Sequence, residues 1–318
     1  MTIARIARIA RIAGAAVVLL TIGSFEGSGD TQAQTLSKEE LTFLTQAWQG
    51  ERFEDGRPRV PDDLLERARA VGIDDAWTVL NNEGYVNQFA GGWKTVNDAP
   101  VIGRAVTAMF MPSRPDVHAG IRERGQAQGR QGDTNAWPIE VLTKGDVYVA
   151  DGFGKVAGGT LMGATLANSI FSKSGNGVVF DGAARDLDAI HAIEGFNAFV
   201  RDFHPSFLES MTLMGLNTPV RIGEAVVLPG DLVMAGREGV LFIPAHMAEP
   251  VIATAEFVVR KDAFGFEMVR TGRYATGQID SQWTDEIKTA FLDWLEQHPE
   301  QGSMTREELD AMMGRRTW

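Results

Sequence analysis

The residues of this chain with the types and spacing to do chemistry lie in two runs. One is Gly158-Gly159-Thr160-Leu161-Met162-Gly163-Ala164, and the other runs from Gly177-Val178-Val179-Phe180-Asp181-Gly182 through Ala183-Ala184-Arg185-Asp186-Leu187-Asp188. A glycine-rich turn entering a helix offers main-chain N–H groups that have no intrahelical acceptor, and such groups suit a carboxylate. An arginine beside an aspartate at the end of a short strand can hold an α-keto acid. The guanidinium fork clamps the carboxylate while the aspartate holds a hard divalent cation. The same pair is equally compatible with a surface ion pair on a glycine-lined turn.

Other chemistries find less support. The chain has 318 residues and no cysteine, which removes thiolate nucleophiles, Cys-ligated zinc, iron–sulfur clusters and disulfides together. Any metal must use oxygen or imidazole ligands. His118, His191, His204, His246 and His298 show no H-x-H or H-E-x-x-H spacing and read as surface or capping residues. Ser169, Ser172, Ser174 and Ser210 lie in no G-x-S-x-G elbow. Asp62-Asp63 and Asp74-Asp75 are sequence neighbours whose side chains point to different helix faces, so they read as first-turn charges. Gly152-Phe153-Gly154-Lys155-Val156-Ala157 matches a dinucleotide fingerprint only weakly. Its helix is not expected before Gly163, and Asp181 lies too far along for a ribose contact. Lys155 reads as a solvated loop lysine. With 30 Lys+Arg against 42 Asp+Glu the net charge is −12, which argues against nucleic acid and for small-molecule partners.

These runs need elements to carry them. Val101–Met111 and Asp146–Ala150 read as strands, and the glycine-rich segment from 152 to 163 leads into a helix from Ala164 to Ser172. Gly177–Phe180 is a short buried strand; further strands fit Ala198–Arg201, Val220–Ile222, Glu224–Leu228, Leu232–Ala235 and Val240–Ile243. Pro61 with Asp62-Asp63 opens a helix, and another is expected from Pro250 to Arg260. Near the C-terminus Thr284 caps a helix in which Ile287, Ala290, Phe291, Trp294 and Leu295 share one face. Thr305 to Glu308 forms a capping box for a last short helix. The implied class is α/β.

The ends of the chain differ from the middle. Residues 1–33 read as a signal peptide: Arg5, Arg8 and Arg11 make a basic start, Ile12 to Phe25 is uncharged, and Thr31-Gln32-Ala33 suits cleavage after Ala33. The apolar stretch is shorter than the roughly 18 residues of a spanning helix, although an uncleaved anchor is the alternative. The expected location is therefore the periplasm or the exterior, with no stable membrane insertion after cleavage. Residues 34–60 form an N-terminal arm, 61–260 the main domain and 261–318 a C-terminal helical extension.

Several ordered segments carry a resemblance. G-G-T-L-M-G, V-V-F-D-G-A-A-R-D and L-P-G-D-L-V-M-A-G-R-E-G-V-L-F-I-P, together with V-I-G-R-A-V-T-A and G-D-V-Y-V-A-D-G, resemble the RraA-like family between about Leu64 and Arg260. That family includes the regulator of ribonuclease activity A and class II 4-hydroxy-4-methyl-2-oxoglutarate aldolases, some of which also decarboxylate oxaloacetate. The resemblance implies a compact layered α/β core, a homotrimer or hexamer with sites between subunits, and a carbon–carbon lyase using Mg²⁺ or Mn²⁺. It places the keto-acid carboxylate on Arg185, the metal on Asp186, and the remaining substrate contacts on the segment Gly163, Ala164, Thr165 and Leu166. Two acidic positions of the aldolases are missing. One falls on Ala164; the other, separated from the R-D pair by two residues, falls on Ala189, just past Asp188. A catalytically silent module that binds an anion or a protein is the competing expectation.

Overall fold

A computed structural model describes residues 34–314; the expected signal peptide lies outside them. The described chain begins with an arm that holds α1 (Lys38–Leu44) and continues through α2 (Asp62–Ala68) and α3 (Ile73–Asn82) to two short strands, β1 (Phe89–Ala90) and β2 (Lys94–Thr95). The central strands are β3 (Val101–Pro112), β4 (Asp146–Met162), β5 (Val178–Ala184) and β6 (Ala198–Phe203). Between β3 and β4 run α4 (Pro115–Ala127) and α5 (Trp137–Glu140), while α6 (Ala164–Ser174) joins β4 to β5 and α7 (Leu187–His191) joins β5 to β6. There follow β7 (Met211–Leu216), β8 (Val220–Ile222), β9 (Ala225–Val227), β10 (Leu232–Gly236) and β11 (Gly239–Ile243). The C-terminal part is helical: α8 (Ala248–Arg270), α9 (Thr276–Ile279), α10 (Asp285–Gln297) and α11 (Arg306–Met313).

Neighbouring strands in the main sheet follow the order β1-β11-β10-β3-β4-β5-β6-β2, with β7 paired to β3 beside that path. The four central strands are mutually parallel, and both sheet edges are antiparallel. Parallel strands need covered faces, and the side chains show how this is met. Along β4, Tyr148 and Ala150 enter one core with Phe110, Phe180, Ile170 and Trp137, whereas Val147 and Val149 enter another with Val179, Phe199 and Phe242. The Tyr148 and Phe180 rings meet edge to face at 4.8 Å. A third core joins α2, α3 and α8 to β10 and β11.

The arm is fastened by charge as well as by packing. Arg57 and Arg104 are fully buried, and both face Asp146, which has no exposed surface. Asp55 and Asp62 neutralise the outer sides of the two guanidinium groups at 2.7 and 2.8 Å. Further along the arm, the main chains of Gln34 and Leu36 pair with Leu216 of β7.

Two expectations from sequence change here. The segment from 152 to 163 is not a loop: β4 runs to Met162, irregularly, with register breaks against β5 after Asp151, Lys155 and Thr160. Glycine has little intrinsic strand preference, so this pairing is imposed by β5. Also, α8 continues unbroken through residue 260 to Arg270, with Phe257, Phe264 and Met268 buried, so core and extension share one helix. The extension's own core joins Phe264, Trp283, Phe291 and Trp294, and α10 buries the five residues Ile287, Ala290, Phe291, Trp294 and Leu295.

Candidate active site

In open α/β sheets, ligand clefts lie beyond the carboxyl ends of the strands. That end of β4 is Met162, followed at once by Gly163 and α6; that of β5 is Ala184, followed by Arg185 and Asp186. The loop after β6 supplies Phe207 and Leu208. Together with Thr160, Thr165, Leu166, Asp133 and Asn135 they line an open cleft of about 220 Å³.

Close approach organises the R-D pair. The N–H of Arg185 donates to the carbonyl of Met162 at 3.0 Å, which seats the pair against the start of α6. Asp186 adopts φ +63°, a left-handed conformation tolerated by aspartate but unusual for a residue with a side chain. Its Oδ2 then accepts the N–H of Ala164 at 3.0 Å. Gly163 leaves room for this contact, because a Cβ there would stand 2.5 Å from Asp186 Oδ2 and displace the carboxylate. The helix ends as cleanly as it begins: Gly175 takes φ +65° and donates to Phe171 O at 2.8 Å.

Arg185 is half-buried, and its guanidinium carbon lies 4.5 Å from the centroid of the Phe207 ring. Among the described residues the guanidinium has no hydrogen-bonded or ion-paired partner. It is therefore a positioned cation, held by an aromatic face and open to an anion. The N–H groups of Thr165 and Leu166, in the first turn of α6, have no carbonyl one turn back to donate to. They add a second set of donors on the same cleft. Ala164 differs: its N–H is already taken by Asp186, so it holds the aspartate rather than a ligand.

The five residues Gly163, Thr165, Leu166, Arg185 and Asp186 thus meet at one cleft, as their spacing requires. Asp188 and Ala189 are exposed on α7 and do not line it. Asp133, Asn135, Phe207 and Leu208 escaped sequence reading. They come from connections whose approach to the cleft depends on tertiary structure.

The alternative motifs fold into other roles. Gly152 to Ala157 lies inside β4 with no helix at its end, so no pyrophosphate cradle forms. The histidines make structural contacts: His118 with Thr212, His191 with Val96 O, His246 with Tyr85, His298 with Trp294 O, and His204 with Ser206. Asp62, Asp63, Asp74 and Asp75 occupy first helical turns.

Comparison with known proteins assigns this architecture. The family model described as RraA-like, Aldolase/RraA, matches residues 71–242. The chain belongs to the RraA-like family. A Halalkalibacterium halodurans protein provisionally named a 4-hydroxy-4-methyl-2-oxoglutarate aldolase is 31% identical over 116 residues, which is 35% of this chain and 52% of that protein. An Azotobacter vinelandii protein with the same provisional name is 31% identical over 113 residues, 35% of this chain and 68% of its own length. An uncharacterized Methanocaldococcus jannaschii protein is 30% identical over 90 residues, 28% of this chain and 43% of that protein. The chain thus spans about half the length of the first of these relatives. In fold, this RraA-like chain is similar to Streptomyces coelicolor RraAS2, described as an unusual member of the RNase ES inhibitor RraA family. The TM-score is 0.54 at 23% identity, covering 67% of this chain and 98% of that one. An uncharacterized Pseudomonas syringae protein is similar with TM-score 0.57 at 18% identity, covering 70% and 100%.

Proposed function

We propose that this RraA-like protein is an exported carbon–carbon lyase acting on an α-keto acid, either cleaving a 4-hydroxy-2-oxo acid or decarboxylating oxaloacetate. The observation that carries this reading is Arg185, a cation with no anionic partner among the described residues, set between an aromatic ring and the donor end of α6. Arg185 would take the substrate carboxylate, and the Thr165 and Leu166 amides would orient it. Phe207, 60% exposed at the rim, would shield the bound acid from water on one side.

A divalent cation fits the donor set in a limited way. Among the described residues no three His, Asp or Glu side chains converge. Asp186 has one oxygen on the Ala164 N–H, leaving Oδ1 for a cation, and Mg²⁺ commonly relies on one or two carboxylates plus water and substrate oxygens. When bound, Mg²⁺ or Mn²⁺ supplies Lewis-acid stabilisation of negative charge on the keto oxygen. Export and assembly as a homotrimer or hexamer belong to the same proposal. The first rests on the basic and apolar start of the sequence, the second on the resemblance.

The second reading, a silent module that binds an anion or a protein, is favoured by the alanines at 164 and 189. Incubation of the protein with Mg²⁺ and 4-hydroxy-4-methyl-2-oxoglutarate separates the two. Pyruvate release supports the lyase; oxalate binding with no turnover of this substrate or of oxaloacetate supports the silent module.

A further inference from the structure

Among the described residues, three ionisable side chains line the cleft: Asp133, Arg185 and Asp186. Arg185 is an obligate cation, and Asp186 has one oxygen on the Ala164 N–H, with the other assigned above to the divalent cation. Asp133 remains. We infer that Asp133 is the proton acceptor for the C4 hydroxyl of a 4-hydroxy-2-oxo acid, an assignment that rests on the lyase reading and specifies its substrate class.

The case begins with the stiffness of the connection between α4 and α5. Trp137 is fully buried, and Gly125 of α4 lies so close beneath it that any Cβ there would clash with the indole. Arg130 donates to Glu140 at 2.7 Å, and Glu140 also accepts the N–H of Gln131 at 3.0 Å. The carbonyl of Asp133 accepts the N–H of Ala136 at 2.8 Å, closing a turn. Asn135 ties that turn to the central sheet by donating to Leu161 O of β4 at 2.8 Å. The Asp133 carboxylate is thus presented from a braced turn, as a group taking part in proton transfer must be.

Its bonding leaves it available. Asp133 Oδ1 accepts the Thr134 N–H at 2.9 Å, and Arg122 stands 3.9 Å away, half-exposed. The other oxygen accepts no hydrogen bond from any described residue. Because position 164 is alanine, Asp133 and Asp186 are the only carboxylates among the described residues lining the cleft.

The step balances without a further reactant. Asp133 removes the proton from the C4 hydroxyl, the O–H electron pair becomes the new C4 carbonyl π bond, and the C3–C4 bond breaks. Its electron pair moves into the enolate of the 2-oxo acid held by Arg185. The Asp133 carboxylic acid then returns the proton to C3. Decarboxylation of oxaloacetate reaches the same enolate by loss of CO₂ and has no hydroxyl proton to remove, so it does not need Asp133 for bond breaking.

That difference supplies the test. Asp133→Asn and Asp133→Glu are assayed with 4-hydroxy-4-methyl-2-oxoglutarate and with oxaloacetate, and oxalate affinity is measured by calorimetry. Asp133→Asn is expected to lower kcat for cleavage on the order of 10²–10⁴-fold. Oxaloacetate turnover and oxalate affinity stay close to the parent's, and Asp133→Glu recovers part of the cleavage. Equal loss of both reactions, or loss of neither, overturns the assignment while leaving the lyase reading intact. A parent protein that turns over neither substrate removes both.

Discussion

Replacing Gly163 with alanine perturbs the cleft while sparing the fold, and the two effects can be sized separately. Gly163 has φ −120° and ψ −174°, extended backbone that any residue adopts, so the substitution carries no conformational penalty of its own. Its Cβ would stand 2.5 Å from Asp186 Oδ2 and 3.1 Å from Arg185 Nε, and these groups must move. The Asp186 carboxylate is exposed and can swing into water, giving up its bond to the Ala164 N–H. Loss of one helix-end hydrogen bond costs about 1 kcal/mol, which lowers Tm by about 2–4 °C. Function is far more sensitive, since a displacement near 1 Å in a positioning group costs on the order of 10²-fold in rate. Thermal unfolding followed by circular dichroism, run beside oxaloacetate turnover and oxalate titration, reads both quantities. Unchanged turnover and oxalate affinity in Gly163→Ala would refute the claim that this contact sets the position of the R-D pair. A drop in Tm far beyond the stated range would show that the contact supports the fold instead.

Three further outcomes follow from packing and charge. Asp146→Asn leaves the buried guanidinium groups of Arg57 and Arg104 short of their shared counter-charge and is expected to cost about 3–5 kcal/mol in urea unfolding; a loss below 1 kcal/mol would contradict the clamp, in line with a merely exposed pair. Burial, with help from the nearby Asp74 and Asp262 charges, pushes the Asp75 carboxyl up to about 6. Between the unfolded value near 4 and that value the folded state binds more protons, so stability falls as pH rises through this window and stays reduced above it. Asp75→Asn should therefore be more stable than the parent at neutral pH, on the order of 1 kcal/mol after solvent screening, with the gain vanishing below about pH 4; the opposite pH trend would show a favourable Asp75 charge. Phe264 meets Trp283, Phe291 and Trp294 at ring-centroid distances of 5.3, 5.4 and 5.9 Å. Phe264→Ala should cost about 3–5 kcal/mol while leaving oxalate affinity at the cleft unchanged, and a parallel loss of affinity would couple the extension to the site.

The parts of the molecule visible in the sequence are those governed by local rules. Thr284 and Thr305 accept the N3 amide hydrogen bonds expected of helix caps, and the apolar stripe of α10 is buried residue for residue. The R-D pair was visible because a strand, a turn and a helix start are short-range features. By contrast, α4 buries only Ile121 and Gly125, so it carries almost no apolar periodicity, and the turn after it was invisible with it. Asp133 is brought to the cleft by Trp137, Arg130 and Glu140, contacts that sequence spacing does not reveal. The glycine-rich end of β4 does not show as strand in the sequence for a related reason: its strand character comes from β5 alongside. Arg57 and Arg104 give no sign in the chain that they share a buried carboxylate. No helix of the described residues is long and apolar enough to cross a membrane.

On the proposed lyase reading, Arg185 is held ready for the carboxylate of an α-keto acid undergoing carbon–carbon bond cleavage. Its most direct test is pyruvate release from oxaloacetate in the presence of Mg²⁺, comparing the protein with Arg185→Ala against Mg²⁺ alone. Release is expected well above the metal-only rate, abolished by chelation and reduced on the order of 10²-fold or more in Arg185→Ala. Release no faster than with Mg²⁺ alone, or full activity in Arg185→Ala, would contradict it.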